Sequence, residues 1–112
     1  MENIILQRRL NNISKKNTEY KIVYEKDARK ELENIYLYIK NRLDEEKIAK
    51  QTVLNIMNKI KTLEYFPFAY RVIHQRNQYR KFVVKNYIII YNVNLESKII
   101  EILHIYNEKQ YK

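Results

Sequence analysis

The sequence predicts a small α+β domain in which a hairpin of two antiparallel helices packs on a twisted, four-stranded antiparallel sheet. Three observations predict this class. The chain has 112 residues, which is enough for one modest hydrophobic core. Apolar residues recur with a helical period between residues 28 and 63. Beyond Pro67 the period changes to the alternation that is typical of β-strands. The predicted order is therefore β-α-α-β-β-β.

Residues 1–18 form an N-terminal extension in this prediction, and the domain itself covers residues 19–112. The apolar residues of the extension fit one side of a short helix, and the polar stretch that follows is typical of a linker. These apolar residues are Ile4, Ile5, Leu6, Leu10 and Ile13. Three alternatives stay open: the extension is disordered, it forms a short helix that packs on the domain or on a second copy, or the start codon is misassigned.

The run YKIVY at residues 20–24 alternates and predicts the first strand. Asp27 is the predicted N-cap of the first helix and Asp44 that of the second, with Glu45 and Glu46 favourable in the first turn. The first buried face comprises Ala28, Leu32, Ile35, Tyr36, Ile39 and Leu43, and the second comprises Ile48, Ala49, Val53, Ile56, Met57, Ile60 and Leu63. The short connection between the two helices predicts that they are antiparallel.

Three further strands are predicted after Pro67, at residues 79–84, 87–93 and 99–106. Lys85 and Asn86 separate the first two. Because the chain contains no glycine, Asn86 is expected to adopt the positive φ of this tight turn. A second turn is predicted at residues 94–98, and one extra short strand near residues 70–76 is an open alternative.

The net charge is positive and unevenly distributed. Lys and Arg number 22 against 13 Asp and Glu, which gives +9 at pH 7. Residues 71–85 contain five cations and no acid, namely Arg71, Arg76, Arg80, Lys81 and Lys85. A general bias toward lysine would spread the excess along the chain instead. This cationic stripe favours a polyanionic partner, which is a nucleic acid, a ribosome or an acidic protein segment.

The composition excludes several kinds of site. Without cysteine there is no disulfide scaffold and no thiolate centre. Without glycine there is no phosphate loop or dinucleotide fingerprint, so no cofactor is expected. His74 and His104 lack ligand spacing, so no metal site is predicted. The apolar runs are too short to span a membrane and no signal peptide is evident, which predicts a cytoplasmic protein.

A cluster of basic and aromatic residues remains as the candidate site. Its members are Arg71, Arg76, Tyr79, Arg80, Lys81, Tyr87, Tyr91, Tyr106 and Lys109. Tyrosine rings stack on bases, and arginine and lysine neutralise phosphates. A metal-free ribonuclease needs, in addition, a group that accepts the 2′-hydroxyl proton and an acid that protonates the leaving oxygen. The alternative is that at least half of these tyrosines are partly buried core rings.

The stretch YRKFVVKNYIIIYNVN at residues 79–94 resembles the central hairpin of the RelE/ParE superfamily, the toxins of type II toxin–antitoxin modules that are also called plasmid-stabilisation proteins. The resemblance covers residues 20–111. It is carried by Ala28, Leu32, Tyr38-Ile39, Ala49, Leu63, Phe66-Pro67, Arg80 six residues before Asn86-Tyr87, and Tyr106. The fold of this superfamily, a twisted antiparallel sheet on two helices, agrees with the fold predicted above.

The resemblance implies a toxin with one of two modes of action. One branch of the superfamily consists of ribosome-dependent mRNA endonucleases (mRNA interferases), and the other inhibits DNA gyrase without nuclease activity. Both branches are silenced by a cognate antitoxin. We expect growth arrest by ribosome-dependent mRNA cleavage, an acidic antitoxin as partner, and neither a small-molecule cofactor nor a membrane. The alternatives are a ParE-like gyrase inhibitor and an inactive basic domain that binds nucleic acid or the antitoxin.

The resemblance also assigns roles to residues under the nuclease hypothesis. The predicted catalytic residues are Arg80, Tyr106 and Arg71, and the predicted substrate-binding residues are Lys81, Tyr79, Tyr91, Lys109 and Arg76. Two positions depart from the nuclease pattern. Ile88 follows Tyr87 where nucleases often have arginine, and Glu108 stands where paired arginines are usual. Each departure removes a positive charge that would face phosphate.

Overall fold

The computed structural model describes residues 19–109, so the predictions for residues 1–18 lie outside the described residues. Its strands are β1 (Lys21–Tyr24), β2 (Val72–His74), β3 (Tyr79–Val84), β4 (Tyr87–Asn94) and β5 (Ile99–Asn107). Its helices are α1 (Lys26–Leu37) and α2 (Glu46–Lys61), followed respectively by a π-helical segment (Tyr38–Arg42) and a 3-10 turn (Thr62–Glu64). The α+β class is confirmed. No helix in this range is long and apolar enough to cross a membrane.

The sheet has five strands in the order β1-β5-β4-β3-β2, one more than the four predicted. Neighbours from β2 to β5 are antiparallel, but β1 runs parallel to β5, so the sheet is mixed and not wholly antiparallel. The additional strand β2 explains the difference. Each short connection between consecutive elements reverses the direction of the chain. An odd number of reversals between β1 and β5 would make these strands antiparallel, and the additional strand β2 makes the number even, so they are parallel.

The core lies between the helical hairpin and one face of the sheet. Along β4, Tyr87, Ile89 and Tyr91 alternate toward the helices and join Ile56 and Ile60 of α2 in one buried cluster. Each large apolar side chain buried in this way stabilises the fold by about 1.5–3 kcal/mol. β4 is the central strand, and its whole run from Tyr87 to Tyr91 is buried on both faces.

The predicted helix faces are confirmed in the body of the hairpin and differ near its turn. Ala28, Ala49 and Leu63 are fully buried, whereas Leu43 and Ile48 are 55% and 53% exposed. Met57, also predicted to be buried, is 39% exposed. The π-helical segment explains Leu43, because a π turn accommodates an extra residue and so shifts every side chain after it away from the α-helical spacing.

The predicted caps and turn residues are displaced by one or two positions. The N-caps are Glu25 and Glu45 rather than Asp27 and Asp44, and neither forms a side-chain capping hydrogen bond. In the β3–β4 turn, Lys85 and not Asn86 has the positive φ, at 55°. The two-residue turn between Val84 and Tyr87 therefore takes its positive φ at the first central position, which here is a lysine.

Candidate functional site

Three predicted site residues lie on the face of the sheet that points away from the helices, which we call the open face. Tyr79 and Lys81 alternate along β3 with the core residue Phe82, and Tyr106 follows the core residue Ile105 on β5. In the strand register, Ile90 separates Lys81 from His104, and Ile88 separates Val83 from Tyr106. The open face therefore combines an apolar centre with half-buried aromatic and cationic side chains.

His104, which the sequence did not single out as a site residue, belongs to an array of three side chains on this face. Its ring stacks on that of Tyr106, with centroids 4.8 Å apart and planes inclined by 15°. Its Nδ1 lies 3.3 Å from Oε1 of Glu31. A carboxylate that holds an imidazole beside a phenol is an arrangement able to accept and donate protons. Strand alternation alone could have paired His104 with Tyr106, but Glu31 comes from α1.

Glu31 reaches this position because β1 is short. β1 ends at Tyr24, opposite Ile102, and leaves the last five residues of β5 without a partner on that side in the described chain. There the backbone N–H of Ile105 donates to Oε1 of Glu31 at 3.0 Å. The carboxylate therefore satisfies an amide that would otherwise belong to an unpaired strand edge.

Arg80 lies on the other side of the sheet. It alternates with Lys81, and its Nη1 donates to the backbone carbonyl of Tyr70 at 2.5 Å. Its guanidinium carbon lies 5.1 Å from the centre of the Phe68 ring. Arg80 and Tyr106 are two strand spacings apart across the sheet and three residues apart along it. Their backbone positions are therefore roughly 14 Å apart. The structure does not bring Arg80 and Tyr106 to one phosphate.

Tyr91, which the sequence predicts to bind substrate, is fully buried in the structure. Its hydroxyl donates to the carbonyl of Pro67 at 3.1 Å. Burial raises the pKa of Tyr91 to about 12, although the nearby Arg80 acts to lower it. Tyr87 is also buried, and burial raises its pKa. These two rings belong to the core, as the alternative for the tyrosines anticipated.

The remaining predicted residues lie at opposite ends of the sheet. Arg71 and Arg76 are exposed and flank β2, one edge of the sheet. Lys109 follows β5, and together with Tyr106 it lines a groove of about 710 Å³ between α1 and the end of β5. Because β3 and β4 lie between β2 and β5, the two arginines and Lys109 do not form one cluster.

Acidic residues adjoin Tyr79 on the open face. A small pocket of about 240 Å³ is lined by Tyr79, Leu103 and His104 and by the charged side chains of Glu25, Asp27 and Lys26. Beside it, the pKa of Glu101 is raised by burial and by a hydrogen bond with Glu25. Among residues 19–109, no group of three or more His, Cys, Asp or Glu side chains is arranged to hold a metal ion. The two carboxylates of this pocket outnumber its one lysine, which disfavours the binding of phosphate there.

Comparisons with known proteins identify relatives of the chain. A family model described as the ParE toxin of the type II toxin–antitoxin system parDE matches residues 22–110. A solved structure titled "Chromosomal ParDE TA system from P. aeruginosa" superposes with a TM-score of 0.68 at 18% identity, covering 80% of this chain and 97% of that one. At that identity the likeness shows the fold. No curated protein matches the chain.

Proposed function

Because this chain belongs to the ParE toxin family of type II toxin–antitoxin systems, we propose that it arrests bacterial growth by inhibiting DNA gyrase, without cleaving RNA. The observation that carries this proposal is the separation of Arg80 and Tyr106, which lie on opposite faces of the sheet. Cleavage of RNA needs a phosphate-binding cation and an acid–base group at the same phosphate. Inhibition by docking needs a complementary surface and no proton transfer.

The charges around the predicted site support the same choice. Ile88 and Glu108 stand where nuclease members often carry arginine, and Glu25, Asp27 and Glu101 adjoin the open face near Tyr79. In the transition state of RNA cleavage the phosphorus is pentacoordinate and its oxygens carry extra negative charge, so nearby carboxylates oppose its formation. The cytoplasm is the compartment in which such a toxin meets its target.

An antitoxin is the partner that family membership implies. We propose that it is acidic, because 22 Lys and Arg residues against 13 Asp and Glu leave the toxin strongly cationic. Binding between opposite charges of this kind is fast and sensitive to salt. The antitoxin is expected to restore growth when both proteins are expressed.

Ribosome-dependent mRNA cleavage is the second candidate, and one observation favours it. Tyr79, Lys81, His104 and Tyr106 share the open face, and Glu31 holds the imidazole against the phenol. Aromatic rings, a cation and an acid–base pair are the components that base stacking and proton transfer require.

Brief, controlled expression in a bacterial host separates the two candidates. We expect gyrase-linked DNA breaks and an SOS response, with intact mRNA on translating ribosomes. Cuts at a fixed codon position on ribosomes, without DNA breaks, would replace gyrase inhibition by mRNA cleavage. Growth that continues unchanged would reject both modes and leave a basic domain that binds nucleic acid or the antitoxin.

A further inference from the structure

We propose that the loop between α2 and β2 is a docking surface for an acidic polypeptide segment that carries apolar side chains. This loop, residues 65–71, is called the aromatic loop here. Phe66 is 66% exposed and Phe68 is 47% exposed. Aromatic side chains, phenylalanine among them, are enriched in the buried centres of protein interfaces.

The aromatic loop is held in place by contacts from the core. The buried hydroxyl of Tyr91 donates to the Pro67 carbonyl at 3.1 Å, and Arg80 donates to the Tyr70 carbonyl. The ring of Tyr70 stacks on Phe82, with centroids 4.5 Å apart. A partner therefore meets the loop already ordered and pays little conformational entropy for immobilising it.

The charge around the loop selects an acidic partner. The sequence contains no Asp or Glu from Tyr65 to Leu95. Arg80 lies directly against the Phe68 ring, 5.1 Å from its centre, and the loop ends at the exposed Arg71. A segment that pairs apolar side chains with carboxylates would cover the rings and neutralise these cations together.

Two features favour a polypeptide over a nucleic acid. Arg80 lies over one face of the Phe68 ring. The Phe68 and Tyr20 rings form a T-shaped contact with centroids 6.3 Å apart, and together these contacts limit base stacking on Phe68. β2, which begins directly after the loop, is an edge strand of the sheet. An edge strand pairs through backbone hydrogen bonds that a polypeptide offers and a nucleic acid does not. The proposed antitoxin has this chemistry, and only that identification rests on the proposed function.

Fluorescence anisotropy with defined probes on the purified full chain tests the docking surface. The probes are a labelled peptide of alternating Glu and Leu, a peptide of equal length and charge with Ser in place of Leu, and single-stranded DNA of equal charge. We expect the Glu–Leu peptide to bind about tenfold more tightly than the Glu–Ser peptide, and Phe66→Ala to remove about that factor. Leu95→Ala is the matched control, because Leu95 is 60% exposed in the β4–β5 turn.

Equal binding of the two peptides, or unchanged binding by Phe66→Ala, would overturn the proposal. Tighter binding of the DNA, weakened by Phe66→Ala, would also overturn it and assign the surface to nucleic acid. Arg71→Gln should lower the affinity for both peptides and reduce its dependence on salt. The assay does not depend on toxicity, so its result is distinct from that of the gyrase experiment.

Discussion

Arg80 shows how the contacts of one side chain decide its role. The sequence predicts a cation that binds phosphate, but in the structure its guanidinium joins β3 to the aromatic loop through the Tyr70 carbonyl and the Phe68 ring. Both contacts use the positive charge, and both hold a segment that lacks regular secondary structure. Arg80 is therefore better explained as a residue that positions the loop.

Arg80→Ala is expected to lower the free energy of unfolding by about 1–2 kcal/mol, because a half-buried, charged hydrogen bond and a cation–π contact are lost. Urea denaturation measures this change. Arg71→Ala is the control, since Arg71 is exposed and should stay within about 0.5 kcal/mol of the parent. Equal stabilities for the two variants would contradict the positioning role.

Tyr91→Phe is expected to cost about 1 kcal/mol at neutral pH, because the Pro67 carbonyl loses its buried donor. The pKa of Tyr91 in the folded state is about 12, above its ordinary value of 10.0. The protonated Tyr91 hydroxyl therefore contributes its full stabilisation below pH 10, and this contribution is lost as the pH rises toward 12. The variant should show a shallower loss of stability over this range.

Urea unfolding at neutral pH and at two alkaline pH values measures both effects. Tyr38→Phe is the control, because Tyr38 is 55% exposed. Tyr24, whose pKa burial also raises to about 12, contributes a similar slope in both variants. If Tyr91→Phe loses stability with pH as steeply as the parent, the buried phenol is not responsible.

Because β1 is short, the end of β5 is paired by a helix side chain and not by a neighbouring strand. β1 covers β5 only as far as Ile102, and beyond that point α1 supplies Glu31 in place of a neighbouring strand. One carboxylate thus ties the helix to the strand and also orients His104. The geometry of the open face depends on this junction between helix and sheet.

Glu31→Ala is expected to lower stability by about 1–2 kcal/mol, because the Ile105 amide loses its acceptor. The amide hydrogen of Ile105 should also exchange faster. Glu31→Gln keeps an acceptor oxygen and should retain most of the protection. Glu33→Ala, at an exposed position on the same helix, is the control. Unchanged exchange at Ile105 in Glu31→Ala would show that the carboxylate does not protect this edge.

Lys85→Gly is expected to stabilise the protein by about 0.5–1 kcal/mol, because Lys85 has a φ of 55°, a conformation that side chains with a Cβ adopt at a cost. Thermal unfolding measures the gain. Asn86→Gly is the matched control. Asn86 does not have a positive φ, so glycine at this position relieves no strain and only increases the entropy of the unfolded chain. A loss of stability in Lys85→Gly would mean that the lysine side chain contributes more than the strain costs.

Across the whole molecule, the sheet divides the predicted site into two surfaces. Arg80 and the aromatic loop belong to the helix side, and Lys81, His104 and Tyr106 belong to the open face. The β2–β3 end carries cations without an acidic residue, whereas at the β1–β5 end Glu25, Asp27 and Glu101 lie among lysines such as Lys26. Within residues 19–109, Arg80 is therefore separated by the sheet from the acid–base side chains of the open face.

The variant Tyr106→Phe tests in cells whether the Tyr106 hydroxyl takes part in catalysis. Growth arrest should be unchanged, since the variant keeps the ring that stacks on His104 and removes only the hydroxyl. A catalytic hydroxyl would instead cost roughly a hundredfold or more in rate. Growth curves at matched protein levels measure the effect. Loss of toxicity, with the thermal stability of the parent, would favour the nuclease.

Local patterns were sufficient for the helices, for strands β3 to β5 and for the α+β class. The helical period between Ala28 and Leu63 and the alternation along β3 to β5 are properties of neighbouring residues, so they can be read without knowing the partners. The same reasoning misplaced Leu43 and Asn86. A π turn changes the helical period, and the geometry of the tight turn decides which of its two residues takes the positive φ. Neither effect is visible in the spacing of apolar residues.

The candidate site depended far more on tertiary structure. Sequence could place Lys81 and Tyr106 on strands, but only strand order and register put them on one face with Arg80 on the other. Composition alone, meanwhile, sufficed to exclude thiolate and glycine-loop chemistry, because those sites require residue types that are missing. The parallel pairing of β1 with β5, the burial of Tyr91 and the contact between Glu31 and His104 join segments far apart in the chain, and such contacts are decided by packing that no local period encodes.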